Sequence, residues 1–246
     1  MQNRRTILGG MGASLALGLS GCSGSALTMP SSSSSSSSFN FNGDGVSQDE
    51  KPKSDVFLNE KGLPSIKDLM KEGPLGDKWL GDKNAPITIL KFASMTCPYC
   101  RVFHLQTYPH LKRKYIDTGK VRYALREFPI GFASGRATLI MRCLGQNDTK
   151  KYYALYDKLI TQQNRWVSLK VRNDAIFRVA SQVGITRKQF DSCLTNQAMI
   201  DGVKWSKQRG RNLGVTGTPT FFINGQKFRE VLTVKKIDSL LAPYLS

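Results

Sequence analysis

Histidine is scarce in this 246-residue chain, which carries only His104 and His110. A centre built from several imidazoles is therefore excluded. Apolar runs long enough to cross a bilayer are also missing, because the mostly apolar stretch Thr6 to Leu19 is too short for a comfortable span. Acidic side chains are few, 18 against 36 basic ones, and the formal charge is +18. Such an excess calls for an anionic partner to be considered. Yet the Lys and Arg residues are scattered rather than blocked, no nucleic-acid motif accompanies them, and the aromatics fall at core-like spacings. Nucleic acid is not expected as a partner; the basic surface reads as solvated, with some attraction for anionic lipid headgroups.

Five cysteines are present, and their meaning depends on the compartment. Arg4 and Arg5 form a positive n-region ahead of the short apolar stretch, which reads as a signal peptide over 1–21. The stretch ends at Leu19-Ser20-Gly21-Cys22, which resembles a bacterial lipobox, so Cys22 is expected to be acylated and to anchor the mature chain to a membrane. A simple secretory signal with an incidental cysteine is the alternative. Asn3-Arg4-Arg5-Thr6-Ile7-Leu8 also resembles a twin-arginine signal. Either route delivers the chain to an oxidising compartment, the periplasm.

Residues 22–54 read as a tether. The run Ser31 to Ser38 cannot bury apolar surface, and about 30 residues of such coil reach roughly 30 Å. Residues 55–80 read as an N-terminal extension packed on the domain, with a short helix over Ile66 to Lys71. It is too small for a dimerisation module, so a monomer is expected.

The folded domain is placed at 81–246. Ile87 to Phe92 reads as a strand and Lys120 to Phe128 as another, with a helical pattern between them that Pro109 should kink. A right-handed crossover makes the two strands parallel. Residues 133–213 look helical throughout, notably over Ala137 to Leu144, Tyr152 to Ile160, Leu169 to Val183 and Ile200 to Trp205. Thr220 to Ile223 and Gln226 to Phe228 form a hairpin around Asn224-Gly225, and Val234 to Leu245 closes the chain as a helix. The fold class is α/β: a strand–helix–strand unit, a helical insertion, then a hairpin and a helix.

Cys97-Pro98-Tyr99-Cys100 follows the first strand and opens a helix. There the unsatisfied N–H groups and the macrodipole favour a thiolate. Cys97 is the nucleophile candidate, Cys100 the resolving thiol one turn deeper, and Pro98 suits the first turn. The rival chemistry is metal: Cys97, Cys100 and His104 have C-x2-C-x3-H spacing, within reach of copper or zinc. A closed zinc site needs a fourth ligand, and none is near; Arg101 excludes the haem-attachment pattern. His104 reads better as a helix residue that packs beside the pair or tunes it. Phe132, Trp166 and Trp205 read as core aromatics, with the lining of a client groove as the alternative.

Far along the chain, Val215-Thr216-Gly217-Thr218-Pro219-Thr220 sets a proline at the start of an apolar strand. With both motifs, and with Gly81 to Pro86, Phe92 to Cys97 and Arg126-Glu127-Phe128-Pro129, the chain resembles the DsbA-like branch of the thioredoxin superfamily over Gly73 to Ser246. The resemblance implies a thioredoxin-like fold with a helical insertion and a cis Thr218–Pro219 bond against the active pair. It implies a disulfide oxidoreductase acting on thiols of unfolded secreted proteins, with no cofactor and with a membrane partner as reoxidase. An isomerase or reductase, or a copper- or zinc-binding carrier, is the alternative. Some members of the family also carry a second disulfide in the insertion, which Cys143 and Cys193 would form; two separate buried thiols are the other reading. One departure stands out: the family often has an acidic residue six positions before the first cysteine, and here it is Lys91. Lys91 either tunes the pair or turns outward or pairs with Glu127.

Overall fold

A computed structural model describes residues 63–168 and 173–245. The expected signal peptide over 1–21, Cys22 and the expected tether over 22–54 lie outside the described residues. Five strands form one sheet in the order β1-β3-β2-β4-β5: β1 (Trp79–Leu80), β2 (Ile87–Ala93), β3 (Val121–Glu127), β4 (Thr220–Ile223) and β5 (Gln226–Phe228). Only β2 and β3 are parallel, from Ile87 opposite Val121 to Ala93 opposite Glu127; the other pairings are antiparallel. The parallel pair requires a crossover, which α2 (Pro98–Gln106) and α3 (Tyr108–Leu111) supply. Pro109 has no N–H to continue a helix. The helix accordingly breaks at Thr107, restarts with the proline in its first turn, and runs into a π-helical turn over Lys112–Ile116.

Alternation along β2 divides the core. Ile87, Ile89 and Ala93 share one face with Val121, Tyr123 and Leu125, packed against Cys100 and Phe103 of α2. Leu90 and Phe92 face the other way, with Ala124, Phe222, Leu69, Leu213 and Val215. Each such fully buried Leu, Ile or Phe contributes about 1.5–3 kcal/mol, so the central strands are held from both sides.

The insertion comprises α4 (Gly131–Leu144), α5 (Thr149–Thr161), α6 (Gln163–Trp166), α7 (Asn173–Ala180), α8 (Arg187–Leu194) and α9 (Gln197–Asn212). Of the segment expected to be helical from Leu169, residues 169–172 lie outside the described ones. The helix α8 starts on a capping box, with the Thr186 hydroxyl accepting from the Gln189 N–H and the Gln189 side chain returning to Thr186. The hairpin turn holds Asn224 at φ 44° and Gly225 at φ 87°, the left-handed pair that a two-residue loop demands.

The segment before the sheet is tied down more firmly than its glycines and prolines suggest. Short helix α1 (Ile66–Met70) buries Leu69, and Trp79–Leu80 adds an edge strand to β3, so the sheet begins two residues ahead of Gly81. Arg126 forks onto Asp77, with Nη2 2.6 Å from Oδ2, and Arg142 Nη1 donates to the Gly76 carbonyl at 2.7 Å. Close approach is built in: a Cβ on Gly202 would sit 2.4 Å from Leu75, and one on Gly73 2.3 Å from the Trp205 ring.

Candidate active site

The loop Ser94-Met95-Thr96 leads from β2 into the cysteine motif. Cys97 is the N-cap of α2, with φ −75° and ψ 119°, and its sulfur accepts the backbone N–H of Cys100 at 3.3 Å. Pro98 occupies the first turn, where no intrahelical bond is lost. Both cysteines are free thiols in this structure. Cys97 keeps 9% of its surface exposed, whereas Cys100 has none. Hydrogen bonding with the Cys100 thiol, helped by the backbone N–H groups of Cys100 and Tyr99, outweighs burial and brings the Cys97 thiol down to about 6. Burial, and then the hydrogen bond with Cys97, pushes Cys100 well above its ordinary value. The sulfur at the edge of the core is thus ready as thiolate, while its fully enclosed neighbour holds its proton.

The second motif closes over this pair. The Thr218–Pro219 bond is cis, and the Thr218 carbonyl oxygen lies 3.2 Å from the Cys97 sulfur. Tyr99, 62% exposed, borders a cleft of about 340 Å³ with Thr218, Pro219, Arg229, Glu230 and Val231.

Lys91 neither turns outward nor pairs with Glu127. It is fully buried on the β2 face that packs against α2, its Nζ donating to the Tyr156 hydroxyl at 3.0 Å and lying 4.5 Å from the Phe103 ring centre. Glu127 is taken instead by a two-pronged contact from Arg142 and by the Tyr152 hydroxyl. His104 is nearly buried; its Nε2 meets Asp157 Oδ1 at 3.0 Å and its ring stacks on Tyr108. Burial lowers its pKa, against the opposing pull of Asp157. Among the described residues no three His, Cys, Asp or Glu side chains converge on a metal site. Cys143 and Cys193 are joined to each other, linking α4 to α8 away from the reactive pair.

Sequence reasoning missed two residues that hold the loop. Gln163 Nε2 donates to the carbonyls of Met95 (2.8 Å) and Cys97 (3.0 Å). Ser134 Oγ accepts the Met95 N–H at 2.9 Å and contacts Ser94 Oγ at 2.8 Å. Both come from the insertion and carry no local motif, so no signal in the chain marks them.

A family model described as thioredoxin matches residues 75–242. The chain belongs to that family. Within the thioredoxin family it is 32% identical over 154 residues to a Rickettsia bellii protein named for protein-disulfide oxidoreductase activity, covering 61% of this chain and 57% of that one. With disulfide bond formation protein D of Bacillus subtilis it shares 24% identity over 185 residues, 73% of this chain and 78% of that protein. The chain spans only a little over half the length of the first Rickettsia relatives it matches. Among solved structures, Wolbachia pipientis α-DsbA1 superposes with a TM-score of 0.67 at 26% identity, covering 73% of this chain and 96% of that one. The fold is thus the thioredoxin-like fold of the DsbA structures.

Proposed function

We propose that this protein is an exported thiol–disulfide oxidoreductase that donates its Cys97–Cys100 disulfide to thiols of unfolded secreted proteins. The observation that carries the reading is the split within the pair: a thiol near 6 at Cys97, which keeps a sliver of accessible surface, beside the fully enclosed Cys100, held well above its ordinary value. The names of the Rickettsia and Bacillus relatives and the likeness to α-DsbA1 support it.

In the forward direction a client thiolate attacks Cys97 and the S–S bond to Cys100 breaks. The Cys100 sulfur takes the departing electron pair and, given its high proton affinity, a proton. A second client thiolate then attacks the client sulfur of the mixed disulfide and displaces Cys97 as thiolate. Two electrons pass from client to protein and no cofactor is required. The low proton affinity of Cys97 makes it the better leaving group and favours the reduced protein, which is what an oxidase needs. On this reading the cleft beside Tyr99 and Thr218 receives the client, a membrane partner reoxidises the pair, and acylated Cys22 with the 22–54 tether holds the domain at the periplasmic face of a membrane.

Refolding of a reduced, unfolded client tests the proposal. Wild-type protein should accelerate disulfide formation stoichiometrically, or catalytically with an added oxidant, and Cys97→Ser should abolish it. Turnover undiminished by Cys97→Ser ends the reading. A reduction potential near about −270 mV, the thioredoxin range, would favour the reductase alternative. The metal-carrier alternative is disfavoured by the engagement of His104 with Asp157.

A further inference from the structure

Lys91 is a buried cation without an acid. It is fully buried, and among the described residues no carboxylate lies within ion-pair distance of it. The groups that face it can be named element by element. From α2 come Cys97, Cys100 and, less directly, His104, with the Phe103 ring at 4.5 Å. From α5 comes Tyr156, whose hydroxyl accepts from Nζ at 3.0 Å and whose ring centre is 5.5 Å away. From β4 it meets apolar Phe221, its pairing partner, and from β3 Leu125. The nearest carboxylates along these elements are already occupied, Glu127 by Arg142 and Asp157 by His104. Tyr123, Tyr152, Tyr153 and Tyr156 are kept protonated by burial and supply no charge.

A buried ammonium needs a counter-ion or it sheds its proton. The sulfurs of the cysteine pair are the anions in reach, and they are anionic only when the pair is reduced. We propose that Lys91 is the redox-coupled proton store of the pair: neutral beneath the disulfide, and an ammonium beside the thiolate. This rests on the reading that Cys97 and Cys100 cycle. The overall exchange then balances. A client dithiol gives up two electrons and two protons, the electrons break the Cys97–Cys100 bond, one proton goes to Cys100 and the other to the Lys91 amine. The products are a client disulfide, the Cys97 thiolate, the Cys100 thiol and an ammonium at Lys91. Burial depresses Lys91 to about 8 while the sulfurs pull the other way, so removing the sulfur charge by oxidation lowers its proton affinity further.

The test is the midpoint potential of the Cys97–Cys100 couple in the full chain against pH, above the Cys97 value of about 6 and up to about 8. Two protons per electron pair shift the equilibrium a hundredfold per pH unit, about 60 mV, and one proton tenfold, about 30 mV. Wild type is expected to follow the steeper line in the pH unit below 8, and Lys91→Met the shallower one. Equal slopes in the two proteins overturn the proposal, and a pair that does not cycle at all overturns the functional reading and this inference together. Should Lys91→Met fail to fold, the nitrogen-15 titration of Lys91 Nζ in oxidised and reduced wild type decides. A lower midpoint in the oxidised form is expected, and coincident midpoints refute the assignment.

Discussion

The sulfur of Cys97 accepts the backbone N–H of Cys100 at 3.3 Å, within the first turn of α2. The largest influence lowering its pKa is the Cys100 thiol itself, ahead of the backbone N–H groups. The alkylation rate of the reduced protein should therefore rise tenfold per pH unit at low pH and level off above about 6. Cys100→Ala removes that first cause, and the midpoint should move upward toward the ordinary 9.0. An unmoved midpoint would assign the effect to Thr218 and the helix terminus. The linkage has a definite sign: a depressed acid stabilises the reduced fold above its unfolded value and loses that contribution as pH falls through about 6.

Much of this was legible in the chain because the signals were local. Cys97-Pro98-Tyr99-Cys100 announces a helix N-terminus by the proline and the spacing, and Asn224-Gly225 announces the hairpin by its need for positive φ. Pro109 marked the break that separates α2 from α3. What escaped depends on distant partners. Trp79–Leu80 is too short to show alternation and becomes a strand only because β3 offers it an edge. Gln163 and Ser134 reach the Met95 backbone from elements 68 and 39 residues away. Lys91 was left between tuning the pair, turning outward and pairing with Glu127, although the period-two pattern of Ile87 and Ile89 sets it on the inward face, where the structure has it buried.

Gln163 carries both carbonyls of the reactive loop, so its removal should show in stability and chemistry. Gln163→Leu leaves the Met95 carbonyl without its buried side-chain donor and the Cys97 carbonyl with only the Arg101 N–H, a loss of about 1–3 kcal/mol. Urea denaturation should report that loss, and stopped-flow mixed-disulfide formation should slow as Cys97 loses its fixed position. Unchanged values on both counts would mean that water replaces the amide.

The ion pair between Glu127 and Arg142 is almost fully enclosed, at 2% and 4% side-chain exposure. Arg142→Met strands a buried carboxylate with Tyr152 as its remaining donor and frees the Gly76 carbonyl. The expected cost is about 3–5 kcal/mol. Adding Glu127→Gln should recover part of it, since a neutral amide is far cheaper to bury than a lone charge. Denaturation midpoints of the two single variants and the double variant measure the coupling. Additive losses would place Arg142's contribution in its backbone contacts instead.

Cys143 and Cys193 stand 50 residues apart in sequence and bridge α4 to α8. Both helices belong to the insertion, and neither sulfur touches the reactive loop. Closing a loop of that length restricts the unfolded chain, worth about 2–4 kcal/mol when the native state is unstrained. Replacing both with Ala should lower the unfolding free energy by that amount. The Cys97 alkylation profile should not move, because its causes lie in Cys100, Thr218 and the first turn of α2 rather than in the bridged helices. A shifted profile would show that the insertion transmits strain through α4, where Ser134 holds the Met95 N–H, and the bridge would then belong to the active site's support.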